Sequence, residues 1–122
     1  PTEIEATLKA AKDAFGRRVI AVFQPHLYSR TRDFYKEFGS AFYQADLLIV
    51  TGIYPAREQP IEGVSGKLVA DAARELGHRQ VQYIEQRSQV VAELKTTARP
   101  GDIIITLGAG DIYKAGEEYL NG

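Results

Sequence analysis

The sequence contains no cysteine, no methionine and no tryptophan. Without cysteine the chain can form neither a disulfide nor a thiolate metal site. It also lacks any apolar run approaching the roughly 20 residues that a membrane-spanning helix needs. The net charge of −1 provides no broad positive surface for a nucleic-acid backbone. We therefore expect a protein that binds neither nucleic acid nor membrane.

The amino-terminal residues show no sign of a secretory signal peptide. Residues 1–4, Pro-Thr-Glu-Ile, have neither the basic nor the apolar segment of a secretory signal peptide, which predicts a cytoplasmic location. The missing initiator methionine suggests a piece of a longer protein. The 122 residues, 44% hydrophobic and 25% charged, are typical of one globular domain. We expect a single domain over residues 1–122, with no interior linker or repeat.

Short apolar runs alternate with amphipathic stretches along the chain. The runs are rich in β-branched residues, which favours strands covered on both faces, and they span 18–23, 47–51, 81–84 and 103–107. Apolar residues recur at helical spacing within 3–15, 31–43, 65–76, 89–96 and 111–120. Gly16 and Gly77 are the expected ends of two helices, and Ser88 and Asp111 the expected caps of the last two. The alternation predicts an α/β fold with a doubly wound, mostly parallel, Rossmann-like sheet and helices on both faces.

Ligands of such sheets bind where the strands end, so the loops that follow strands are the candidate sites. The first of these loops, residues 24–32, contains His26 and Arg30 just before a predicted helix start. An arginine binds a carboxylate or phosphate through two parallel hydrogen bonds, and a helix N-terminus adds a positive dipole. Together these features indicate an anion site.

The same loop also allows a purely structural interpretation. Ser29 or Thr31 would cap the helix, and the two arginines of the loop would pair with acidic residues of the next turn, Asp33 and Glu37. A lone histidine is more often structural than catalytic. Composition alone leaves both interpretations open.

The second loop, residues 52–65, is longer than the about 2–6 residues usual between a strand and a helix. Long ordered loops are often functional. The alternative is a rigid surface loop held by Pro55 and Pro60, which the composition by itself favours.

The third loop, residues 108–112, is Gly-Ala-Gly-Asp-Ile. Two glycines let the backbone approach a ligand closely, and Asp111 can bond a hydroxyl. The Lys-Ser/Thr pair of a P-loop is missing, and so is the full dinucleotide-binding fingerprint. A tight turn capped by Asp111 is the structural alternative. His26 and His78 lie far apart without metal-ligand spacing, so we expect no metal site.

Taken together, the three loops resemble those of the C-terminal domain of the Mur ligases. The matching segments are FQPHLYSRTRD at 23–33, IYPAREQPIEGV at 53–64 and GAGDI at 108–112. Their order and spacing match, and the resemblance covers the whole chain. The first motif resembles most closely the members that join L-alanine to UDP-N-acetylmuramate.

This resemblance implies the closing domain of a three-domain, ATP-dependent, amide-forming ligase of peptidoglycan synthesis. In such a ligase the N-terminal domain binds the UDP-sugar and the central domain binds ATP and Mg²⁺, so the isolated domain is expected to need no cofactor and to be inactive. No catalytic residue is expected within this chain. The resemblance places His26 and Arg30 on the amino-acid side of the site. The possible supporting loop residues are Tyr28, Thr31, Tyr54, Arg57, Glu58, Gly108, Gly110 and Asp111.

Two positions depart from the family pattern. Leu27 stands where many members have a second arginine, and Gly52 stands where relatives often have an acidic residue. Within the family, the alternative is a domain of another amino-acid ligase. Outside it, the alternative is a free-standing nucleotide-binding α/β module. A phosphoacceptor receiver domain is disfavoured, because it needs acidic residues at strand ends, where this chain has Gln24 and Gly52.

Overall fold

The structure, a computed structural model, describes residues 1–108 and 110–121. Helices and strands alternate after an initial helix. In chain order they are α1 (Thr2–Phe15), β1 (Val19–Phe23), α2 (Tyr28–Ser40), β2 (Leu47–Val50), α3 (Lys67–Glu75), β3 (Val81–Tyr83), α4 (Arg87–Thr97), β4 (Ile103–Leu107) and α5 (Tyr113–Asn121). Within the described residues, no helix is long and apolar enough to cross a membrane.

The strands form one parallel sheet in the order β3-β2-β1-β4. The chain moves outward in one direction from β1 to β3 and then crosses back to place β4 on the other side of β1. The strand order therefore reverses between β1 and β4, which is where sheets of this kind bind ligands. The predicted doubly wound α/β fold is confirmed.

Alternate residues of the central strands enter two separate cores. Val19, Ala21 and Phe23 of β1 pack with α1, α2 and α3 on one face of the sheet. Ile20 and Val22 pack with α4 and α5 on the other. Every residue of β1 and β2 is buried, which explains their continuous apolar sequence. Strand β4 pairs with β1 on one side and is half-buried throughout. Helices cover both faces, as predicted.

Several helix ends differ from the sequence prediction. Gly16 closes α1 in the left-handed conformation, with φ 58°, as expected. Helix α2 begins at Tyr28, three residues before the predicted 31, and α4 begins at Arg87. Capping of α4 by Ser88 is therefore wrong, because Ser88 lies inside the first turn. Helix α5 begins at Tyr113, so Asp111 lies outside its cap position and its carboxylate bonds elsewhere.

Candidate ligand-binding site

All three predicted loops leave the same edge of the sheet. Gln24 continues from β1, and its backbone N–H donates to Leu107 O at 2.9 Å, at the end of β4. The loop after β2 lies beside the loop after β1: Leu27 N–H donates to Tyr54 O at 2.9 Å, and Tyr54 N–H donates to Pro25 O at 2.8 Å. These backbone bonds extend the parallel pairing beyond the sheet. They hold the loops in one rigid arrangement.

His26 and Tyr54 lie side by side at this edge. Their backbones form an isolated parallel bridge, and their rings stack with centroids 6.0 Å apart and planes 27° apart. His26 is half-buried, and Tyr54 is 37% exposed. The imidazole is thus oriented by an aromatic neighbour and still reaches solvent. It can donate or accept a hydrogen bond to a ligand from this position.

A carboxylate from the second loop holds the first turn of α2. Glu58 accepts one hydrogen bond from the Ser29 backbone N–H at 3.1 Å and another from the Ser29 hydroxyl. These bonds lower the pKa of the Glu58 carboxyl. The N-terminus of α2, which the sequence indicated as part of an anion site, is therefore already engaged by an anion of the same chain.

The start of α2 is fixed from inside as well. Leu27, the residue before the helix, has φ 71°, a conformation that side-chain-bearing residues rarely adopt. Thr31 is fully buried, and its hydroxyl donates to Leu27 O at 2.8 Å. Thr31 thus supports the unusual backbone of the loop and does not face solvent. Neither Ser29 nor Thr31 caps the helix as predicted: the carboxylate of Glu58 accepts the hydrogen bond from the backbone N–H in its first turn.

Arg30 and Arg32 have different surroundings although they are two residues apart. Arg32 pairs with Asp33, with Nε 2.8 Å from Oδ1, as the structural interpretation predicts. Arg30 is exposed and its guanidinium lies 6.0 Å from the centroid of the Phe34 ring. Among the described residues it has no ion-pair partner, so the predicted pairing of Arg30 with Asp33 or Glu37 is not formed. Its charge remains available to a ligand.

The third loop contacts the other two through its glycines. A Cβ at Gly110 would lie 2.4 Å from Tyr54 Cδ2 and 2.6 Å from Gln24 Oε1. A Cβ at Gly108 would lie 3.0 Å from Gln24 Cβ. Both positions require glycine because neighbouring loops approach so closely. Ala109, the middle residue of the predicted motif, lies outside the described residues.

Asp111 is bound by two donors that the sequence did not indicate. Gln24 Nε2 donates to Oδ1 at 3.2 Å, and Arg87 Nη1 donates to Oδ2 at 2.8 Å. The hydrogen bond from Gln24 and the charge of Arg87 together lower the pKa of Asp111. Arg87 Nε also lies 3.0 Å from Glu118 Oε1 of α5. Arg87 thus joins the start of α4 to the third loop and to α5.

A polar cleft of about 590 Å³ opens beside this network, at the strand ends. Its lining includes Gln24, Tyr28, Gly52, Glu85, Arg87 and Asp111. Another cavity of about 460 Å³, beside Asp46 and His78, lies at the opposite edge of the sheet, where β2 and β3 begin. We take the strand-end cleft as the candidate site because it lies where the strand order reverses.

The glycine at position 52 leaves room for an acidic side chain from the segment that follows β3. A Cβ at Gly52 would lie 3.1 Å from Glu85 Cγ and 3.2 Å from Glu85 O. Glu85 therefore occupies the space beside position 52 and brings a carboxylate to the cleft. The cleft therefore has an acidic side chain at position 85 and none at position 52.

The structure brings most of the predicted site residues to one edge, but in separate groups. His26 contacts Tyr54, Ser29 contacts Glu58, Tyr28 lines the cleft with Asp111, and Arg57 is exposed on the second loop. In the part of the chain that the structure describes, no group of three or more His, Cys, Asp and Glu residues could hold a metal ion. The arrangement can bind an anionic group at His26 and Arg30 and a polar group in the cleft.

These features define an α/β domain of the doubly wound class, with a candidate site at the strand ends. The chain belongs to the Mur ligase family: residues 1–110 match the family described as Mur ligase, glutamate ligase domain. The family resemblance of the three loops is confirmed. Ligases of this family are ATP-dependent.

Similar proteins agree with this assignment. The chain is 50% identical over 121 residues to the UDP-N-acetylmuramate–L-alanine ligase of Salinibacter ruber, a match covering 98% of this chain and 26% of that protein. It is 50% identical over 120 residues to the ligase of the same name from Myxococcus xanthus, covering 98% and 25%. In fold it is similar to a murein peptide ligase from Psychrobacter arcticus, with a TM-score of 0.76 at 19% identity, covering 99% of this chain and 25% of that one. The chain spans about a quarter of the length of the curated relatives it matches.

Proposed function

We propose that the chain is the C-terminal domain of a ligase that joins L-alanine to UDP-N-acetylmuramate in peptidoglycan synthesis in the cytoplasm. The observation that carries the proposal is the 50% identity to alanine ligases over 98% of the chain. The N-terminal domain of the same protein would bind the UDP-sugar, and the central domain would hold ATP and Mg²⁺.

In this reaction ATP would transfer its γ-phosphoryl group to the muramate carboxylate, which gives an acyl phosphate and ADP. The alanine amine would then attack the acyl carbon, form the amide, and release inorganic phosphate and a proton. The role of this domain would be to bring the amino acid to the acyl phosphate after domain closure. Correct placement of two reactants accelerates their reaction strongly, so a rigid sheet edge suits the task. The domain supplies positioning and charge, and it contains no residue to which we assign a covalent or proton-transfer step.

His26 and Arg30 would bind the carboxylate of alanine. Arg30 is exposed and without an ion-pair partner in the described residues, so binding an anion breaks no existing pair. Glu58 already accepts the Ser29 N–H at the start of α2. The carboxylate of alanine would therefore be held by side chains rather than by the helix N-terminus. A guanidinium suits this task because it binds both carboxylate oxygens at once.

The polar cleft would lie beside the amino group of alanine. Glu85 and Asp111 place carboxylates there, and Gln24 and Tyr28 add neutral polar groups. An acidic cleft on the same sheet edge as the Arg30 guanidinium matches the charge separation of an amino acid. This complementarity supports an amino-acid site at the strand ends.

The test is steady-state ADP release by the whole ligase that carries this domain, with UDP-N-acetylmuramate, ATP, Mg²⁺ and each amino acid in turn. We expect turnover with L-alanine. Turnover only with another amino acid, or only with a UDP-sugar that already carries a peptide, would assign the domain to a different Mur ligase. A folded whole protein without activity on any of these substrates would overturn the ligase assignment and favour a free-standing binding module.

A further inference from the structure

Arg87 has a position in the fold that the proposed function does not yet use. It is the first residue of α4, after the short segment 84–86 that follows β3, and it lines the strand-end cleft. Its guanidinium contacts two carboxylates through different nitrogens: Nη1 to Asp111 Oδ2 at 2.8 Å, and Nε to Glu118 Oε1 at 3.0 Å. A planar guanidinium that is engaged at two of its nitrogens is fixed in orientation.

Because Asp111 belongs to the third loop, its contact with Arg87 also restrains that loop. Its other oxygen accepts a hydrogen bond from Gln24 Nε2 at 3.2 Å, so the carboxylate is held from two sides. Gln24 Oε1 is buried and has no hydrogen-bond partner among the described residues. It lies 2.6 Å from the place of a Cβ on Gly110. The amide of Gln24 therefore fills the space between Asp111 and Gly110.

The same contacts continue to the amino-acid side of the site. A Cβ on Gly110 would also meet Tyr54 at 2.4 Å, and the Tyr54 ring stacks on His26. A chain of direct contacts thus runs from Arg87 through Asp111, Gln24 and Gly110 to Tyr54. Glycines restrain their backbone poorly, so the position of this loop depends on the groups that hold Asp111.

We propose that Arg87 is a positioning residue for amino-acid binding: it holds Asp111, and through Asp111 it fixes Gly110 against Tyr54 and the neighbouring His26. This inference rests on the proposed function. Arg87 acts through these residues and does not itself touch the amino acid. Its loss leaves His26 and Arg30 in place but lets the loop that packs behind Tyr54 move.

The experiment is steady-state kinetics of Arg87→Ala in the whole ligase, varying each substrate in turn. Because the ion pair is partly exposed, we expect KM for alanine to rise by about three- to tenfold with little change in kcat. KM for ATP and for the UDP-sugar should change much less. Arg79→Ala is the control for the loss of one positive charge, since Arg79 is an exposed arginine at the opposite edge of the sheet, where β3 begins.

A double-mutant cycle separates positioning from general stabilisation. Asp111→Asn keeps a side-chain oxygen that can accept the hydrogen bond from Gln24, but it removes the negative charge that pairs with Arg87. If the two residues act together, KM for alanine in the double variant should be no higher than in the worse single variant. Arg87→Lys should recover only part of the loss, because an ammonium cannot contact both carboxylates in the same geometry. If Arg87 had a merely structural role, its substitution would lower the melting temperature and raise KM equally for alanine, ATP and the UDP-sugar.

The outcomes separate this inference from the proposed function. Alanine-dependent turnover by the wild-type ligase, with a normal alanine KM for Arg87→Ala, would overturn the role of Arg87 and leave the function standing. Additive effects of Arg87→Ala and Asp111→Asn would do the same. A wild-type ligase without alanine-dependent turnover would instead remove the proposed function.

Discussion

Glu58 and Ser29 are joined by two hydrogen bonds, although 29 residues separate them in the sequence. The carboxylate accepts from the backbone N–H and from the hydroxyl of Ser29. It thereby ties the long second loop to the first turn of α2. The loop contains Tyr54, and the helix contains Arg30, so one carboxylate fixes the two parts of the proposed amino-acid site relative to each other.

The stability that Glu58 contributes should depend on pH. Its hydrogen bonds to Ser29 lower its pKa in the folded state. A group with a lowered folded-state pKa stabilises fully above its unfolded pKa, about 4.3 for glutamate, and loses this contribution as the pH falls through the lower folded value. Below that window, wild type and Glu58→Gln should therefore differ less in melting temperature than at pH 7.

Melting curves of both proteins between pH 7 and the acid transition check this prediction. Glu62→Gln is the control, because Glu62 is an exposed glutamate of the same loop. A difference between wild type and Glu58→Gln that stays constant over the whole pH range would show that the carboxylate charge is not what joins the loop to α2.

The glycines of the chain offer a pair of substitutions with opposite expected effects. Gly110→Ala places a Cβ 2.4 Å from Tyr54 and 2.6 Å from Gln24, so overpacking should cost about 1–3 kcal/mol of the free energy of unfolding. Gly116 lies within α5, and a Cβ there meets Thr106 Cγ2 at an ordinary 3.7 Å. Gly116→Ala should therefore stabilise by about 0.5–1 kcal/mol through helix propensity.

Urea unfolding of the two variants measures both the expected loss of stability in Gly110→Ala and the expected gain in Gly116→Ala. Alanine kinetics of Gly110→Ala in the whole ligase should also be impaired, because the clash displaces Tyr54 beside His26. An alanine at position 110 that leaves both stability and kinetics unchanged would contradict the close packing of the third loop on the other two.

The fold was predictable because its signals are local. Runs such as 19–23 and 47–50 are apolar at every position, and only strands covered on both faces require that. The start of α2 was predicted too late in the sequence because it depends on Leu27 at φ 71°. Leucine rarely adopts this conformation, so the sequence gives no sign of it. The cap of that helix was missed because Glu58 comes from another loop.

The site was predictable only in part, for a related reason. The first and third loops carry residue types that suggest ligands, so His26, Arg30 and Asp111 were predicted as candidates. Gln24 and Arg87 were not, because their contacts with Asp111 join segments that follow β1, β3 and β4 and lie far apart in the sequence.

The 122-residue chain should fold by itself and unfold cooperatively in urea, since both of its cores are formed from its own residues. Phe42 is fully buried in the larger core, so Phe42→Ala should cost about 3–5 kcal/mol. The purified chain should release no ADP, because it lacks a P-loop. Turnover above that of a mock purification, or a gradual non-cooperative melt, would contradict this prediction.

Arg30 is the residue whose substitution tests the amino-acid site most directly. In the whole ligase, Arg30→Ala should remove a charge-assisted bond to the carboxylate of alanine, which costs on the order of 1.5–3 kcal/mol. This corresponds to a fall of about ten- to a hundredfold in kcat/KM for alanine. Arg30→Lys should recover little, because an ammonium cannot bind both carboxylate oxygens in parallel.

The control for Arg30 lies two residues further along the same helix. Arg32 pairs with Asp33, so Arg32→Ala removes an equal charge without removing the proposed ligand contact. Arg30→Ala loses only the contact with Phe34 at 6.0 Å, worth about 0.5–1 kcal/mol at an exposed site, so its melting temperature should fall little. If Arg30→Ala and Arg32→Ala slow the reaction equally, the cause is the loss of one positive charge from this surface and not the loss of a specific contact with alanine. If Arg30→Ala is folded and has normal alanine kinetics, the carboxylate of alanine binds elsewhere, and the first loop loses the role that its exposed guanidinium supports.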